Sequence, residues 1–306
     1  MKIIFSRKGF DAKNGGVASP IFHDGRMYSL PIPSPDSEAG NVRYREIKFD
    51  QSNLGRIVAD LTKRRAKRHT GNSRAHLDPD LNETALARRS GWLPAFGQAN
   101  AARAHLEENG VGGGDLFLFF GWFRRVEEIE GHLRFVRGEP DIHLLWGWLQ
   151  VGEVYQECSR RSKLPLWASF HPHVYEGDEW RAEGENYDTL YVAKKRLDLP
   201  GLRLRIPGGG IFKKYHRKLQ LTEPGNGRRV WRVPAWMYPF PNKPPLTYHP
   251  DKKRWTKVGG KVLLRTVDIG QEFVLDGEYY PQALKWLANL FRAAAWMPVA
   301  GRGKQA

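Results

Sequence analysis

Residues 113–123, GGDLFLFFGWF, combine a glycine turn with a run of apolar and aromatic side chains. The run is too short to cross a bilayer, which takes roughly 20 apolar residues, so it predicts a buried strand. Residues 144–154, LLWGWLQVGEV, form a second apolar stretch that Gly147 interrupts. A glycine inside a strand allows a sharp bend or a close approach of backbone. The two stretches therefore predict a pair of strands at the centre of the fold.

Weaker local patterns predict the remaining elements. Paired glycines supply the positive φ of tight turns, prolines favour extended chain, and a glycine commonly ends a helix. The predicted elements are a strand at 2–5, a turn at 11–16, extended loop and edge strand around 19–20 and 31–35, a helix at 98–109 ending at Gly110, strand-rich stretches at about 115–155 and 188–234, and a helix from Pro281 with Leu284, Leu287, Phe291 and Ala294 at helical spacing. The predicted fold class is α+β with strands predominating.

The chain has 306 residues, of which 41% are apolar, enough for a substantial core. We expect one elaborated α+β domain over residues 1–300 and a polar, disordered tail at 301–306. The N-terminal residues do not resemble a signal peptide, which predicts a cytoplasmic protein with no membrane partner. Cys158 is the single cysteine, so an intramolecular disulfide and any zinc site with two thiolates are excluded.

The charge is strongly positive, with 49 Lys and Arg against 33 Asp and Glu and a formal net charge of +16. A surplus of this size attracts polyanions, and nucleic acid is the commonest such partner. One basic stretch follows the helix-like residues 54–60. Its cations either contact nucleic-acid phosphates or form a solvated helix end. They are Lys63, Arg64, Arg65, Lys67 and Arg68.

The paired central stretches resemble the PUA-like superfamily, which includes the ASCH and EVE domains. The resemblance rests on Gly-Asp before the first strand and on the glycine inside the second, and it implies a small barrel that receives RNA or an extruded base. We therefore expect a PUA-like core at about 111–155, either a small barrel or a strongly bent mixed sheet flanked by helices. Trp122, Phe123, Trp146 and Trp148 either stack on a base or pack in the core. Because glycine precedes each of two tryptophans, we expect Trp148 to line a pocket and Trp122 to be core.

Short motifs are spread along most of the chain. They are FSRKGFD at 5–11, GG at 15–16, SPI at 19–21, DGR at 24–26, SLPIP at 29–33, HLDPD at 76–80, GDLFLFFGWF at 114–123, HPH at 171–173 and GQEFV at 270–274. With these motifs, the chain resembles the nucleotide modification associated domain, third type. This resemblance implies association with systems that modify nucleobases in bacteria or their phages, with DNA favoured over RNA. It carries no established set of catalytic residues.

The HLDPD motif supplies candidate catalytic residues His76, Asp78 and Asp80. If the chain is extended, the two carboxylates share a face, which suits a divalent cation or paired acid–base chemistry. The alternative is a turn and helix cap. In the helix predicted next, Gln98 and His105 lie on one face. Gln98 is a candidate substrate contact and His105 a candidate catalytic residue. The alternative is that both are polar residues whose hydrogen-bond partners lie within the fold.

His171 and His173 alternate in the HPH motif and would face the same way on extended chain. They suit substrate contact, since a metal would need a third ligand that the sequence does not identify. We therefore assign no metal ligand. The polar stretch 186–191 either lines the same site or closes a turn.

The N-terminal loop contains a further candidate binding site. Charged groups and free backbone N–H donors follow the first strand, an arrangement that suits an anion. Its candidate residues are Lys8, Ser19 and Arg26 for substrate and Asp11 for catalysis, with ordinary ion pairing as the alternative. Neither a Walker loop nor a GxGxxG motif is present.

Three functions remain open. The first is an enzyme that modifies a base in DNA or a nucleotide, and the second is a non-catalytic reader that holds a modified base in DNA or RNA. The third is a nuclease with a metal ion between Asp78 and Asp80. The sequence identifies neither the reaction nor a cofactor, and it leaves the oligomeric state open.

Overall fold

A computed structural model describes residues 1–34, 42–156, 164–175, 188–203, 205–268 and 270–294. Cys158 and the tail at 301–306 lie outside the described residues. The described strands are β1 (Lys2–Arg7), β2 (Ser19–Ile21), β3 (Val42–Arg43), β4 (Lys48–Phe49), β5 (Ser52–Asn53), β6 (Arg74–Ala75), β7 (Ala95–Gln98), β8 (Leu116–Ile129), β9 (His132–Phe135), β10 (Ile142–Tyr155), β11 (Thr189–Ala193), β12 (Gly209–Ile211), β13 (Val230–Val233), β14 (Trp255–Val258), β15 (Lys261–Arg265) and β16 (Glu272–Asp276). The described α-helices are α1 (Leu54–Thr62), α2 (Asn100–Glu108), α3 (Pro172–Tyr175) and α4 (Gln282–Ala294).

The largest sheet has nine strands, and its main path runs β16-β1-β8-β10-β11-β7. The pairs β1/β8 and β2/β8 are parallel and the others are antiparallel. A smaller sheet has the order β13-β15-β14. The fold is therefore α+β and strand-rich, with a mixed sheet as predicted. The described strands form no closed barrel, so the PUA-like barrel is not confirmed. The single-domain assignment to 1–300 stays a prediction.

The GGDLFLFFGWF stretch forms the turn before β8 and the first half of that strand. Residues 116–121 are all buried because both faces of the sheet are covered, which explains an unbroken apolar run instead of an alternating one. Asp115 fixes the start: its carboxylate accepts hydrogen bonds from the N–H groups of Lys2, at 2.7 Å, and Gly112, at 3.0 Å. The Gly-Asp motif thus joins β1 to β8 at the beginning of their parallel pairing.

The predicted helices are correct in part. Helix α4 confirms the helix from Pro281, with Leu287 and Phe291 buried. The helix at 98–109 begins at Asn100 instead, because Gln98 belongs to β7 and pairs with Thr189 of β11. Helix α1 ends at Thr62, so the basic residues lie in the turn after it. Among the described helices, none has the length and apolarity needed to cross a membrane.

The predicted placement of the two tryptophans is reversed. Trp148 is 5% exposed and packs against Phe212 and Phe291 in the main core. The Leu81 side chain, and not a ligand, lies close to the backbone at the neighbouring Gly147. A Cβ on Gly147 would meet Leu81 Cδ1 at 2.7 Å. Trp122 is partly exposed instead.

The core also contains a neutral histidine. His143 is buried, and its Nδ1 accepts the indole N–H of Trp231 at 2.9 Å. Burial, assisted by the positive charges of nearby arginines, lowers the pKa of His143 to about 3. The imidazole therefore stays uncharged in the folded protein.

This burial makes stability depend on pH. The unfolded state binds a proton at His143 below about pH 6.5, whereas the folded state binds one only near pH 3, so this contribution is complete above pH 6.5 and is lost as the pH falls. The expected contribution of His143 to the slope is about 1.4 kcal/mol per pH unit between pH 6 and 4. Chemical denaturation at several pH values measures it, with His143→Gln as the control that lacks this slope. Equal slopes for the two proteins contradict the prediction.

Candidate functional site

Five side chains from distant parts of the sequence meet beside strand β7. His76 and Asp78 follow β6, His171 and His173 come from the start of α3, and Asp188 precedes β11. We call these five the histidine–aspartate cluster. The HPH motif is not extended, because it leads from a 3-10 helix into α3, yet both imidazoles face the same carboxylate.

Asp78 is at the centre of the cluster and is buried. Its Oδ1 accepts the backbone N–H of Gly97 at 2.7 Å. The Nε2 of His171 lies 3.3 Å from Oδ1, and the Nε2 of His173 lies 3.6 Å from Oδ2. Burial alone would raise the pKa of Asp78, but the two imidazoles outweigh it and hold that pKa well below its usual value. Asp78 is therefore a carboxylate.

His173 lies between two carboxylates. Its Nδ1 is 3.0 Å from Asp188 Oδ2, and its Nε2 faces Asp78. Burial lowers the pKa of His173, but the carboxylates of Asp188 and Asp78 on either side of the ring more than offset this and raise it to about 9. The ring also lies directly against Gly97, where any Cβ would overlap it. The two carboxylates therefore favour a positive charge on His173, and Gly97 leaves space for its ring.

His76 completes the cluster on its more exposed side. Its ring is nearly perpendicular to that of His173, with 5.2 Å between the ring centroids. One ligand atom from each of His76, Asp78 and His173 lies within 4.8 Å of the others. These three residues could hold a metal ion. The sequence alone identified no third ligand for His171 and His173 of the HPH motif.

Asp80 does not join this arrangement. Its two carboxylate oxygens accept hydrogen bonds from the Arg88 guanidinium, both at 2.6 Å. The carboxylates of Asp78 and Asp80 thus have different partners. These contacts do not support the predicted sharing of one cation by the two residues.

A second buried polar group lies on the other side of β7. Glu272 Oε1 accepts a hydrogen bond from Gln98 Nε2 at 2.6 Å and pairs with Lys8 Nζ at 3.4 Å. Burial raises the pKa of Glu272, and the nearby Lys8 ammonium opposes that rise. Along β7, Gly97 faces the imidazoles and Gln98 faces this ion pair, since successive residues of a strand point to opposite sides.

The other candidates of the N-terminal loop, and His105 of α2, contact different partners. Asp11 accepts the N–H groups of Lys13 and Asn14 and so closes its own turn. The Ser19 hydroxyl accepts the Leu30 N–H at 3.0 Å. The remaining two candidates also make structural contacts: Arg26 pairs with Asp24 and Asp50, and His105 Nε2 lies 3.0 Å from the Thr247 hydroxyl. Their predicted binding and catalytic roles stay predictions.

A basic groove of about 740 Å³ lies between the turn after α1, strand β8 and strand β9. Trp122 lies in it, with the Arg228 guanidinium 4.3 Å from its ring centroid. Its Nε1 has no hydrogen-bond partner in the described structure. Lys67 lies exposed in the same turn. The cationic residues that line the groove are Lys63, Arg64, Arg65, Arg68, Arg124 and Arg134.

Sequence reasoning missed several residues of these sites. Gly97 carries no local signal, because its role depends on a ring that is 76 positions away in the sequence. Arg88 belongs to an ordinary polar stretch. Glu272 was identified only as part of the GQEFV motif at 270–274. Asp188 lies in the polar stretch that we expected near the HPH motif.

The family model of nucleotide modification associated domain 3 matches residues 2–276, and the chain belongs to this family. No curated protein and no solved structure matches the chain significantly.

Proposed function

We propose that this chain is an enzyme of a nucleobase-modification system and that the histidine–aspartate cluster is its reaction centre. The position of His173 between two buried carboxylates carries the proposal. Buried charged groups usually stabilise a fold less than apolar groups of equal size, so such a cluster is more typical of chemistry than of packing. The family to which the chain belongs supports a nucleotide-related reaction.

The cluster suits reactions that move a proton or bind an ion. Imidazoles and carboxylates within reach of one another are the usual groups for acid–base catalysis. Asp78 also lines a narrow cavity of about 30 Å³ together with Tyr28, Ser29 and Trp146. A volume of this size holds about one water molecule, so a base must displace side chains to enter. Displacement of these side chains on substrate binding is therefore part of the proposal.

The basic groove supports nucleic acid as the substrate. Its lining residues differ from those of the narrow cavity, and we propose that a polymer contacts both places. Contacts to phosphates position a nucleic acid without reading its sequence. We propose DNA as the polymer, and RNA is tested beside it.

Nucleoside mass spectrometry tests the proposal. DNA and RNA from cells that express the protein are compared with those from cells that express His76→Gln. His23→Gln is the matched control, because His23 is exposed and lies outside the cluster. A new nucleoside that disappears only in His76→Gln, at an unchanged melting temperature, supports the enzyme. A new nucleoside that persists in the variant overturns the assignment of the cluster.

A non-catalytic reader is the second candidate, and the partly exposed position of Trp122 in the basic groove favours it. An indole in a basic groove can stack on an unpaired base, a contact worth about 1 to 3 kcal/mol. Unchanged nucleosides together with retained binding to modified DNA would favour this function. The separate partners of Asp78 and Asp80 give the nuclease no comparable support.

The groove makes a prediction about salt. We expect Arg64→Gln with Arg68→Gln to weaken binding equally for all sequences and to reduce the slope of log K against log salt by roughly 0.7 to 0.9 per lost contact. The matched control neutralises two exposed cations elsewhere, Lys252→Gln with Lys253→Gln. Fluorescence anisotropy at several salt concentrations measures the slopes. A slope that only the control variant changes would place the nucleic acid on another surface.

A further inference from the structure

His76, Asp78 and His173 of the histidine–aspartate cluster each place one possible ligand atom within 4.8 Å of the others. We propose that His76, Asp78 and His173 bind one divalent first-row transition metal ion and that Asp188 orients His173 as a ligand. The inference rests on the proposed function, because it gives that reaction centre a cofactor.

The spacing of the donor atoms is the first support. The Nε2 of His173 lies 3.6 Å from Asp78 Oδ2, and one donor atom of His76 lies within 4.8 Å of donor atoms of both residues. A typical N–H···O hydrogen bond is shorter, about 2.7 to 3.2 Å. Ligands held roughly 2.0 to 2.2 Å from one ion in tetrahedral geometry lie about 3.3 to 3.6 Å apart. The separation of His173 and Asp78 therefore matches neighbouring ligands of one ion better than a direct hydrogen bond.

The contact from Asp188 is the second support. Its carboxylate is 3.0 Å from Nδ1 of His173, while the Nε2 of that ring faces Asp78. In metal sites, the ring nitrogen that does not bind the ion commonly donates to a carboxylate, which fixes the tautomer and the ring orientation. Gly97 reinforces this orientation, because only a residue without a side chain leaves space for the ring.

His171 is the third support. It is 5% exposed, and neither ring nitrogen makes a hydrogen bond of good geometry in the described structure. Buried polar nitrogens without partners are rare and call for a physical reason. With its Nε2 beside the same Asp78 carboxylate, His171 can contact a water molecule or substrate atom bound to the ion.

The donor set indicates the class of metal. Imidazole nitrogens with one carboxylate suit zinc, iron(II), cobalt(II) or nickel(II), whereas magnesium and calcium prefer oxygen ligands. Three protein ligands leave a position for water or a substrate atom, as in catalytic sites. The proposed ion is thus placed for chemistry beside the narrow cavity that Asp78 lines.

Metal content tests the proposal without any nucleoside. The full chain is stripped with a chelator, offered zinc, cobalt(II), magnesium, or iron(II) without oxygen, and passed through gel filtration before elemental analysis. We expect about one first-row ion per chain, no retained magnesium, and visible cobalt(II) absorption bands. Asp188→Asn should weaken metal affinity by about 10- to 100-fold, because it removes the carboxylate that orients the His173 imidazole.

Variants separate this site from adventitious binding. His76→Gln and His173→Gln should lose the ion while remaining folded by circular dichroism, whereas His23→Gln should retain it. A folded wild-type protein that retains no ion, or equal metal content in wild type and His76→Gln, overturns the proposal. A protein that binds one ion but forms no new nucleoside supports the site and overturns the proposed enzyme, so the two failures are distinguishable.

Discussion

Replacement of Trp148 by alanine is expected to lower the free energy of unfolding by about 3 to 5 kcal/mol. The ring packs against Phe212 and Phe291, with centroid distances of 4.8 and 5.3 Å. Its indole N–H donates to the Pro207 carbonyl at 3.0 Å, so the truncation leaves both a cavity and an unpaired carbonyl. The neighbouring strands cannot easily collapse into the space, because β12 already lies against the ring at Gly210. Urea denaturation followed by circular dichroism measures the loss.

Trp122→Ala is the matched control, since the same side chain is removed from a partly exposed position on β8. We expect it to leave the free energy of unfolding nearly unchanged and to weaken nucleic-acid binding by about 1 to 3 kcal/mol. A stable Trp148→Ala protein with impaired binding would restore the original placement of that residue in a pocket. Destabilisation by Trp122→Ala but not by Trp148→Ala would also support the original placement, with Trp122 in the core.

Elements with strong local patterns were predictable from the sequence. The strand at 2–5 and the helix from Pro281 depend on neighbouring residues, and the structure confirms both as β1 and α4. Strand β7 shows the limit of this reasoning. It has four residues, and its pairing with β11 outweighs the helical appearance of Gln98. Short strands are set by tertiary partners more than by their own composition.

The candidate site was predictable as parts but not as a whole. His76, Asp78, His171 and His173 were each identified from local motifs. Their meeting at one carboxylate depends on how β6, β7 and α3 come together, which a single sequence does not specify. The same holds for Gly147, where a close approach was correctly expected but came from Leu81 and not from a ligand. A glycine indicates that something approaches the backbone and does not say what.

Replacement of Lys8 by methionine is the other change with a large expected effect, a loss of about 3 to 5 kcal/mol of unfolding free energy at pH 7. The side chains of Lys8 and Glu272 are only 11% and 1% exposed, so the variant leaves a buried carboxylate without its cation. Gln98 remains as a donor, but a neutral amide does not replace an ammonium. Since burial already raises the pKa of Glu272, loss of Lys8 should raise it further. The destabilisation should therefore diminish as the pH falls and the carboxyl group takes up a proton.

Two further variants determine whether Lys8 acts through this ion pair. Lys8→Met with Glu272→Gln removes both charges and keeps an acceptor for Gln98, so it should recover most of the lost stability. Lys285→Met removes a lysine from the exposed face of α4 and should change stability by less than about 0.5 kcal/mol. If Lys8→Met melts like the wild type but no longer binds nucleic acid, the ion pair is not a stabilising element. Lys8 then acts on the substrate, as the N-terminal loop had suggested, because a cation that does not support the fold is free to contact a phosphate.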